Sequence, residues 1–265
     1  MPPFRGYGGM FRSFTSFMII AMLSSLAGFA AAGEIILPHL KPAPARGLDT
    51  AVQSPAQAKP LKIVFPKGTG GWSRGRVRSA QEQCRKRLAG LDIAFQPMGA
   101  IGEEGGCGTA SAVLISAIAG VRIDPPAEAN CAFAEALHHW IAWSAKPAAV
   151  EHLKKRLVVV HNASAYACRR RNNSASGKMS EHAIVNALDI STLGFDDGSS
   201  TTIKGDWSGL KQLISGSNKA GFLAHIRRDA CIRFTTVLGP GTDPYHGDHF
   251  HIDLARRRNG YRICN

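Results

Sequence analysis

The chain has 265 residues, of which 45% are hydrophobic and 19% are charged, so its composition excludes a globally disordered protein. Its length suits one large domain or two small ones. The formal net charge of +13 indicates an anionic partner, either nucleic acid, an anionic membrane surface or an acidic cell-wall polymer. Charge alone does not distinguish among these three classes.

Residues 1–32 have the pattern of a secretory signal peptide. Arg5 and Arg12 precede an apolar run, Phe17–Ala31, and small residues continue to Ala32. A run of about 15 apolar residues is short for the ~30 Å core of a bilayer, so we predict a cleaved signal rather than a retained anchor. In either case the rest of the chain is expected in the periplasm or outside the cell. An envelope polymer is then favoured over nucleic acid, and membrane contact is expected only through an uncleaved signal.

Residues 33–60 are rich in proline and alanine and show no sustained hydrophobic period, which predicts a mobile spacer ahead of a folded domain at 61–265. The six cysteines all fall in that domain, at Cys84, Cys107, Cys131, Cys168, Cys231 and Cys264. An even number of cysteines in an exported chain predicts up to three disulfides, with the pairing left open. Their wide spacing argues against a thiolate zinc cluster.

The first half of the domain contains several short predicted elements. It begins with an apolar stretch at Leu61–Phe65 and a glycine-rich basic loop that lacks the ending of a phosphate-binding loop. The elements that follow are a helix at Gln81–Leu88, a strand at Leu91–Gln96, a turn at Gly102–Gly108 and a segment at Ala110–Ile118 that fits either a strand or a short helix.

The clearest predicted helix spans Asp124–Trp143. The Asp-Pro-Pro at its start is typical of a helix beginning, because proline is tolerated in the first turn. Its apolar stripe consists of Phe133, Leu137, Trp140 and Ile141. We interpret His138 and His139 on this helix as packed or surface histidines rather than ligands.

The second half of the domain mixes helices with short strands. Helices are predicted at Pro147–Arg156, Ser208–Ser215 and Lys219–Arg228, and strands at Leu157–Val160, Phe234–Leu238 and His249–Leu254. Because the order shows no regular β-α-β alternation, the sequence predicts an α+β fold.

The segment from His246 to Asp253 is rich in histidine and aspartate, residue types that bind metal ions and transfer protons. His249 and His251 alternate with Phe250 and Ile252, so on a strand both imidazoles point to the same face. Two charged imidazoles side by side repel each other. A divalent cation relieves this repulsion, as does a division of roles between a ligand and a proton donor.

A second segment holds His182 and Asp189, seven residues apart. A regular strand would separate them by roughly 23 Å, so they meet only if the chain turns or if a helix places them on one face. Together with His251 they form a set of two imidazoles and one carboxylate. Such a set suits tetrahedral zinc with its fourth position open to water.

The spacing His182-x6-Asp189 followed by His249-x-His251 resembles that of the LAS metallopeptidases, a group of lysostaphin-like, D-Ala-D-Ala-carboxypeptidase-like and hedgehog-like zinc domains. Their first motif, Ser-x-His-x-x-Gly-x-Ala-x-Asp, is matched at Ser180, His182, Ala187 and Asp189, with Val185 in the place of glycine. Glycine there permits a positive φ, which valine disfavours, so we expect either a differently built turn or an altered metal site.

Within this group the chain is most similar to the extensin-like C-terminal domain family. The matching segments are the helix Cys131–Trp143, Tyr166-x-Cys168-Arg169, Ser180-Glu181-His182 and the tail Cys231–Asp253. The resemblance implies a small antiparallel sheet with flanking helices, as in hedgehog and DD-peptidase domains.

The resemblance also implies a cofactor and roles for individual residues. Zinc would be bound by His182, Asp189 and His251. His249 would polarise the scissile carbonyl, Asp248 would be the general base and His246 its rival. Arg169 would bind the substrate carboxylate, a role for which Arg170 and Arg171 are equally available by charge.

The expected function is therefore an exported zinc-dependent peptidase or amidase that acts on peptidoglycan peptides. The alternative is a zinc-containing module that binds the cell wall or a protein without catalysis, because hedgehog-like domains hold zinc while acting as binding modules. A secreted nucleic-acid-binding protein would leave the histidine-rich tail unexplained, so no nucleic acid is expected as partner.

Overall fold

The computed structural model describes residues 71–102, 104, 106–207 and 218–265. The predicted signal peptide, the spacer, the apolar stretch at 61–65 and the helix predicted at 208–215 lie outside the described residues. None of the helices in this described part of the chain is long and apolar enough to cross a membrane.

Nine strands in the described ranges form one mixed sheet. They are β1 (Ile93–Gly102), β2 (Gly108–Ile118), β3 (Val121–Asn130), β4 (Leu157–Ser164), β5 (Ala187–Phe195), β6 (Ser200–Thr202), β7 (Thr236–Leu238), β8 (Phe250–Asp253) and β9 (Ile263–Cys264). Their order is β1-β2-β3-β4-β5-β8-β7-β9, with β6 paired to β5. Pairs β3–β4 and β7–β9 are parallel and the other pairs are antiparallel.

The helices of the described residues are α1 (Arg74–Leu88), α2 (Cys131–Trp140), α3 (Lys146–Leu153), α4 (Ile203–Asp206) and α5 (Lys219–Arg233). A π-helical turn, Ile141–Ala145, joins α2 to α3. Helix α3 ends earlier than predicted because Lys154 adopts a left-handed backbone, with φ 58°. Helix α1 begins earlier than predicted, where Ser73 Oγ accepts a hydrogen bond from the backbone N–H of Arg76.

The α+β prediction is confirmed, but the expected small antiparallel sheet is wrong in size and in pairing. Strand β5 is buried at most of its positions, so it lacks the alternation that would reveal it in the sequence. The connection between β3 and β4 passes through α2 and α3, and such a crossover makes the two strands parallel. The ambiguous segment 110–118 belongs to strand β2.

The first part of the predicted helix Asp124–Trp143 is wrong, because residues 124–130 belong to strand β3. Val121, Ile123, Ala127 and Ala129 are buried and alternate with more exposed residues, which is the period of a strand. The helix begins after Asn130, whose Oδ1 accepts a hydrogen bond from the backbone N–H of Phe133 at 2.9 Å. The cap is thus an asparagine rather than the Asp-Pro-Pro sequence. The predicted stripe of α2 is confirmed, since all four of its residues are buried.

Three disulfides connect distant parts of the domain, which confirms the predicted number. Cys84–Cys131 joins α1 to α2, Cys107–Cys168 joins the β1–β2 connection to the loop after β4, and Cys231–Cys264 joins α5 to β9. The main core lies between the sheet and the helices, where Trp140 Nε1 donates a hydrogen bond to the carbonyl oxygen of Ile226 at 2.9 Å. The three disulfides and this hydrogen bond hold together the elements that surround strands β5 and β8.

Candidate metal centre

Two imidazoles and one carboxylate meet where β5 and β8 pair. The antiparallel register of these strands places Asp189 directly opposite His251. His182 approaches from the 3-10 turn Glu181–Ile184, which precedes β5. His182 Nε2 lies 3.2 Å from Asp189 Oδ1 and 3.1 Å from His251 Nδ1, and His251 Nδ1 lies 2.8 Å from Asp189 Oδ1. We name these three residues the inner cluster.

A chain turn closes the seven-residue separation between His182 and Asp189. Ser180 caps this turn, with its Oγ accepting a hydrogen bond from the backbone N–H of His182 at 3.3 Å. The backbone N–H of Val185 then donates to the carbonyl oxygen of His182 at 3.2 Å, before β5 begins at Ala187. The serine of the Ser-x-His motif therefore fixes the direction from which His182 enters the cluster.

Val185 occupies the glycine position of the motif and adopts a backbone conformation that glycine favours. Its φ of 58° and ψ of 38° are left-handed, which costs a non-glycine residue roughly 1–2 kcal/mol. Its side chain is fully buried, and its carbonyl oxygen accepts a hydrogen bond from the backbone N–H of Asn130 at 2.7 Å. The turn keeps its left-handed residue, and the inner cluster still assembles.

Hydrogen bonds on the outer side of each imidazole decide which nitrogen faces the cluster with a lone pair. His182 Nδ1 donates to the carbonyl oxygen of Ala165 at 2.6 Å, and His251 Nε2 donates to Asp253 Oδ2 at 3.1 Å. In the neutral tautomers that these bonds select, His182 Nε2 and His251 Nδ1 present lone pairs toward Asp189. Three electron-rich atoms then face one another, an arrangement that a proton or a metal cation stabilises.

Asp253 is a site residue that the sequence interpretation missed. Besides the bond from His251, it accepts hydrogen bonds from Thr236 Oγ1 and from the backbone N–H of Ala255, the latter at 2.9 Å. A buried carboxylate behind a ligand histidine fixes the ring and raises its basicity. The signal was present in the sequence, because His251 and Asp253 are two residues apart on one strand and share a face.

The residues of the inner cluster raise the pKa of His251 and lower the pKa of Asp189. Burial disfavours the charged imidazole of His251, but the hydrogen bonds to Asp189 and Asp253 outweigh burial and raise the pKa of His251 to about 9. Burial also acts to raise the pKa of Asp189, yet its close contacts with the imidazoles of His182 and His251 hold that pKa well below its usual range. At neutral pH His251 therefore carries protons on both ring nitrogens, and a metal ion bound at Nδ1 would displace one of them.

The donor set of the inner cluster fits zinc. Two ligand atoms that each lie ~2.0–2.1 Å from a tetrahedral ion are roughly 3.3 Å apart. The separations in the inner cluster, 3.2, 3.1 and 2.8 Å, are slightly shorter, so small outward movements of the side chains would accommodate the ion. Two imidazole nitrogens and one carboxylate oxygen form a set used at catalytic zinc sites.

His249 lies at the edge of the inner cluster. Its Nε2 is 3.7 Å from Asp189 Oδ1, while its Nδ1 donates to Asp248 Oδ1 at 2.8 Å. Both residues precede β8, because the predicted strand His249–Leu254 is shortened to Phe250–Asp253. The alternation expected of a strand therefore does not apply to them. The carboxylate of Asp248 is largely exposed and contacts the outer nitrogen of the His249 ring.

His246 lies beside these residues, at the end of the 3-10 turn Pro244–His246. Its ring centroid is 5.3 Å from that of His249 and 5.7 Å from that of His251. Its Nδ1 donates to Asp243 Oδ1 at 2.7 Å. The tail thus brings a further histidine–carboxylate pair next to the inner cluster.

Arg169 is linked to the inner cluster through its backbone. Its carbonyl oxygen accepts a hydrogen bond from the backbone N–H of Ser180 at 3.1 Å, just ahead of the turn that carries His182. Its guanidinium donates to the carbonyl oxygen of Arg170 at 3.5 Å. Of the two alternatives, Arg170 bonds within its own loop and Arg171 lies 3.8 Å from Glu181.

A cleft of about 980 Å³ is lined mainly by residues of α1, β2 and the β3–α2 junction, with a few residues that flank His182 in the sequence; the three residues of the inner cluster do not line it. Glu181 and Asn186 belong to its wall, and Asn186 Nδ2 donates to Glu181 Oε2 at 2.6 Å. Burial raises the pKa of Glu181 against the opposing effect of that hydrogen bond. Arg76 and Arg256 line the same cleft; Arg76 is paired with Glu104, so Arg256 is the residue of the two that suits an anionic ligand.

Residues 82–265 match the family model described as "Extensin-like protein C-terminus". The matched range contains the inner cluster, the histidines of the tail and all six cysteines. No curated protein and no solved structure matches the chain.

Proposed function

The chain belongs to the extensin-like C-terminal family, and we propose that it is an exported zinc-dependent peptidase or amidase that acts on peptidoglycan peptides. The observation that carries this proposal is the convergence of His182 Nε2, Asp189 Oδ1 and His251 Nδ1, with both rings oriented by hydrogen bonds on their outer sides. The similarity of the sequence motifs to those of the LAS metallopeptidases, the DD-peptidase domains among them, supports the same function.

His182, Asp189 and His251 would hold the zinc ion. When bound, zinc supplies a Lewis acid that polarises a carbonyl group and lowers the pKa of water. Asp189 offsets part of the positive charge, and the burial of all three side chains excludes bulk water and strengthens electrostatic interactions in the site.

His249 is the residue best placed to touch the reacting atoms. Asp248 accepts a hydrogen bond from His249 Nδ1–H, which orients the ring so that its Nε2 faces the inner cluster. A donor at that position stabilises the negative charge that develops on an attacked amide carbonyl. His249 therefore takes the polarising role expected for it.

Asp248 is the proposed general base, with His246 as its rival. The hydrogen bond from His249 is the main cause that lowers the pKa of Asp248. The carboxylate is ionised at neutral pH, as a base must be, but its lowered pKa makes it a weaker base than a group whose pKa lies near 7, so the proposal for Asp248 depends on the motif resemblance. The bond between Asp248 and His249 couples the base to the group that polarises the carbonyl.

The positive charge of the chain supports an acidic polymer as substrate. Arg169 is proposed to bind the carboxylate of the peptide, and Arg76 and Arg256 would line the path of the polymer through the cleft. Peptidoglycan peptides carry the free carboxylates that such arginines recognise. No nucleic acid is proposed as partner.

The proposed location is the periplasm or the outside of the cell. The three disulfides fit such an oxidising compartment. The predicted signal peptide at 1–32 would deliver the chain there, and a membrane contact would arise only if that segment were retained.

A zinc-containing module that binds the cell wall or a protein without catalysis is the second candidate. His182, Asp189 and His251 are only 1%, 7% and 9% exposed, and structural zinc sites are closed in this way. A catalytic site needs an open position, and the approach of His249 to Asp189 marks the side on which one would lie.

The two candidates are separated by incubating the zinc-loaded mature protein with purified sacculi and identifying released fragments by mass spectrometry. We expect peptide release that is lost in His249→Ala while the zinc content stays unchanged, and both release and zinc to be lost in His182→Ala. His161→Gln, a partly exposed histidine on β4, is the matched control and should retain both. A zinc protein that binds sacculi without releasing fragments would refute the hydrolase and leave the binding module.

A further inference from the structure

A second group of histidines and carboxylates lies where α3 meets α5. It consists of Glu151 and His152 near the C-terminal end of α3 and His225 in α5. Each of these residues offers a ligand atom within 4.8 Å of the others. We name these three residues the outer cluster. It shares no residue with the site described above.

We propose that the outer cluster binds a second divalent transition-metal ion, which bridges α3 and α5. His152 Nε2 lies 3.0 Å from His225 Nδ1, and the two rings are perpendicular. Glu151 places one carboxylate oxygen 3.9 Å from His152 Nε2 and the other 3.8 Å from His225 Nδ1. The separation between the two imidazoles is shorter, and the two separations that involve Glu151 are longer, than the roughly 3.3 Å expected between ligands of a tetrahedral ion.

A carboxylate behind His225 orients its ring for metal binding. His225 Nε2 donates to Asp229 Oδ2 at 3.3 Å, which leaves the lone pair on Nδ1, the atom that faces His152. Asp229 is held in turn by Ser144 Oγ at 3.0 Å and by Arg228 Nη2 at 3.1 Å. This arrangement repeats the one behind His251 and is typical of histidine ligands.

The side-chain amide of Asn218 determines which ring nitrogen of His152 carries the proton. Asn218 Nδ2 lies 2.8 Å from His152 Nδ1, so the amide nitrogen faces the ring in this structure. With its oxygen toward the ring, the amide accepts the Nδ1 proton, so that His152 Nε2 carries a lone pair. With its nitrogen toward the ring, His152 Nε2 carries the proton and donates it to His225 Nδ1. Half a turn of the amide, with transfer of the His152 proton from Nε2 to Nδ1, therefore converts a hydrogen-bonded histidine pair into a metal site with no net release of a proton.

The ligand types select the class of ion. Two imidazoles and one carboxylate favour Zn²⁺, Cu²⁺ or Ni²⁺ over Ca²⁺ or Mg²⁺, which prefer oxygen ligands. The side chains of His152, His225 and Glu151 are 18%, 21% and 64% exposed, so an ion can enter directly from solvent. The outer cluster is accordingly a site that exchanges its ion more readily than the inner cluster.

The test is a Cu²⁺ titration of the full mature chain by calorimetry, with electron paramagnetic resonance of the loaded protein. Wild-type protein and the control His161→Gln are expected to bind two ions. His225→Gln and His182→Gln are each expected to bind one. The spectrum of the ion retained by His182→Gln should show two nitrogen ligands, from His152 and His225.

An unchanged stoichiometry in a folded His225→Gln protein would overturn the proposal. If that variant does not fold, Glu151→Gln replaces it, since this exposed side chain lies on the surface of α3. Loss of a residue that only hydrogen-bonds to a metal ligand costs about 10–100-fold in metal affinity. Glu151 is proposed as a ligand itself, so Glu151→Gln is expected to weaken metal binding at the outer cluster at least ~10-fold. Unchanged affinity in Glu151→Gln would overturn the proposal too.

The same titration separates this inference from the proposed function. A protein that binds one ion, which His225→Gln loses and His182→Gln retains, supports the outer cluster while the inner cluster fails. A protein that binds one ion, which His182→Gln loses and His225→Gln retains, supports the inner cluster while the outer cluster fails.

Discussion

The inner and outer clusters use similar ligands but are positioned by different parts of the fold. Strand register places Asp189 opposite His251 in the sheet, whereas helix packing brings His225 next to Glu151 and His152 at the surface. In both clusters a carboxylate accepts a hydrogen bond from the histidine ring nitrogen that faces away from the other residues of the cluster. The difference is burial: an exposed cluster is satisfied by water and by its own hydrogen bonds, while a buried one depends on a cation.

The strongest test of this comparison is His182→Ala. This variant removes one of the three inner ligands, so we expect the inner zinc to be lost and hydrolysis to fall by more than the ~10²–10³-fold that a single oxyanion donor is worth. The outer cluster should keep its ion, because the two sites share no residue. Metal analysis and muropeptide release measure both effects, and full activity in this variant would contradict the assignment.

His249→Ala should sharpen the distinction between binding the metal and using it. We expect a loss of about 10²–10³-fold in kcat with unchanged zinc content, because His249 polarises the carbonyl without being a ligand. His246→Ala is the matched comparison, since it removes a neighbouring imidazole that is bound to Asp243. A larger loss in His246→Ala than in His249→Ala would contradict the assignment of the polarising role to His249.

Replacing the carboxylates behind the rings compares the two clusters directly. Asp253→Asn should weaken zinc binding at the inner cluster by about 10–100-fold, measured by competition with a chromophoric chelator. Asp229→Asn should weaken binding at the outer cluster by a smaller factor, because solvent replaces the lost acceptor there. Asp243→Asn, which changes the partner of His246 and the cap of the turn Pro244–His246 but no residue of either cluster, is the control and should leave both affinities unchanged. Equal effects of Asp253→Asn and Asp229→Asn would mean that burial does not separate the clusters.

The smallest expected effect is that of Val185→Gly. Glycine relieves the left-handed strain of roughly 1–2 kcal/mol but loses a buried side chain of similar worth, so the free energy of unfolding should change by less than about 1 kcal/mol. Val185→Ala loses most of the side chain and keeps the strain. We therefore expect it to be about 1 kcal/mol less stable than Val185→Gly in urea unfolding. Equal stability of the two variants would show that the turn is not strained.

Sequence reasoning found the inner cluster because its residues stand in recognisable motifs at fixed spacing. It left a chain turn or a helix as the two ways to bring His182 and Asp189 together, and the structure contains the turn. It identified the apolar stripe of α2, but it placed the helix start at the Asp-Pro-Pro sequence instead of at Asn130. The pairing of the cysteines depends on tertiary contacts that no local pattern records.

The outer cluster could not be predicted from the sequence. His152 and His225 are far apart in the chain and belong to no motif, so only the packing of α3 against α5 brings them together. The same holds for the parallel pairing of β3 with β4, which depends on the path of the intervening helices. Asp253, by contrast, was within reach of the alternation rule that linked His249 to His251.

The most direct test of the metal centre is anomalous X-ray diffraction at the zinc absorption edge from crystals grown with zinc. The account predicts a peak within coordination distance of His182 Nε2, Asp189 and His251 Nδ1, and its disappearance in crystals of His182→Ala. Zinc-treated crystals with density for all three side chains and no anomalous peak between them would contradict it.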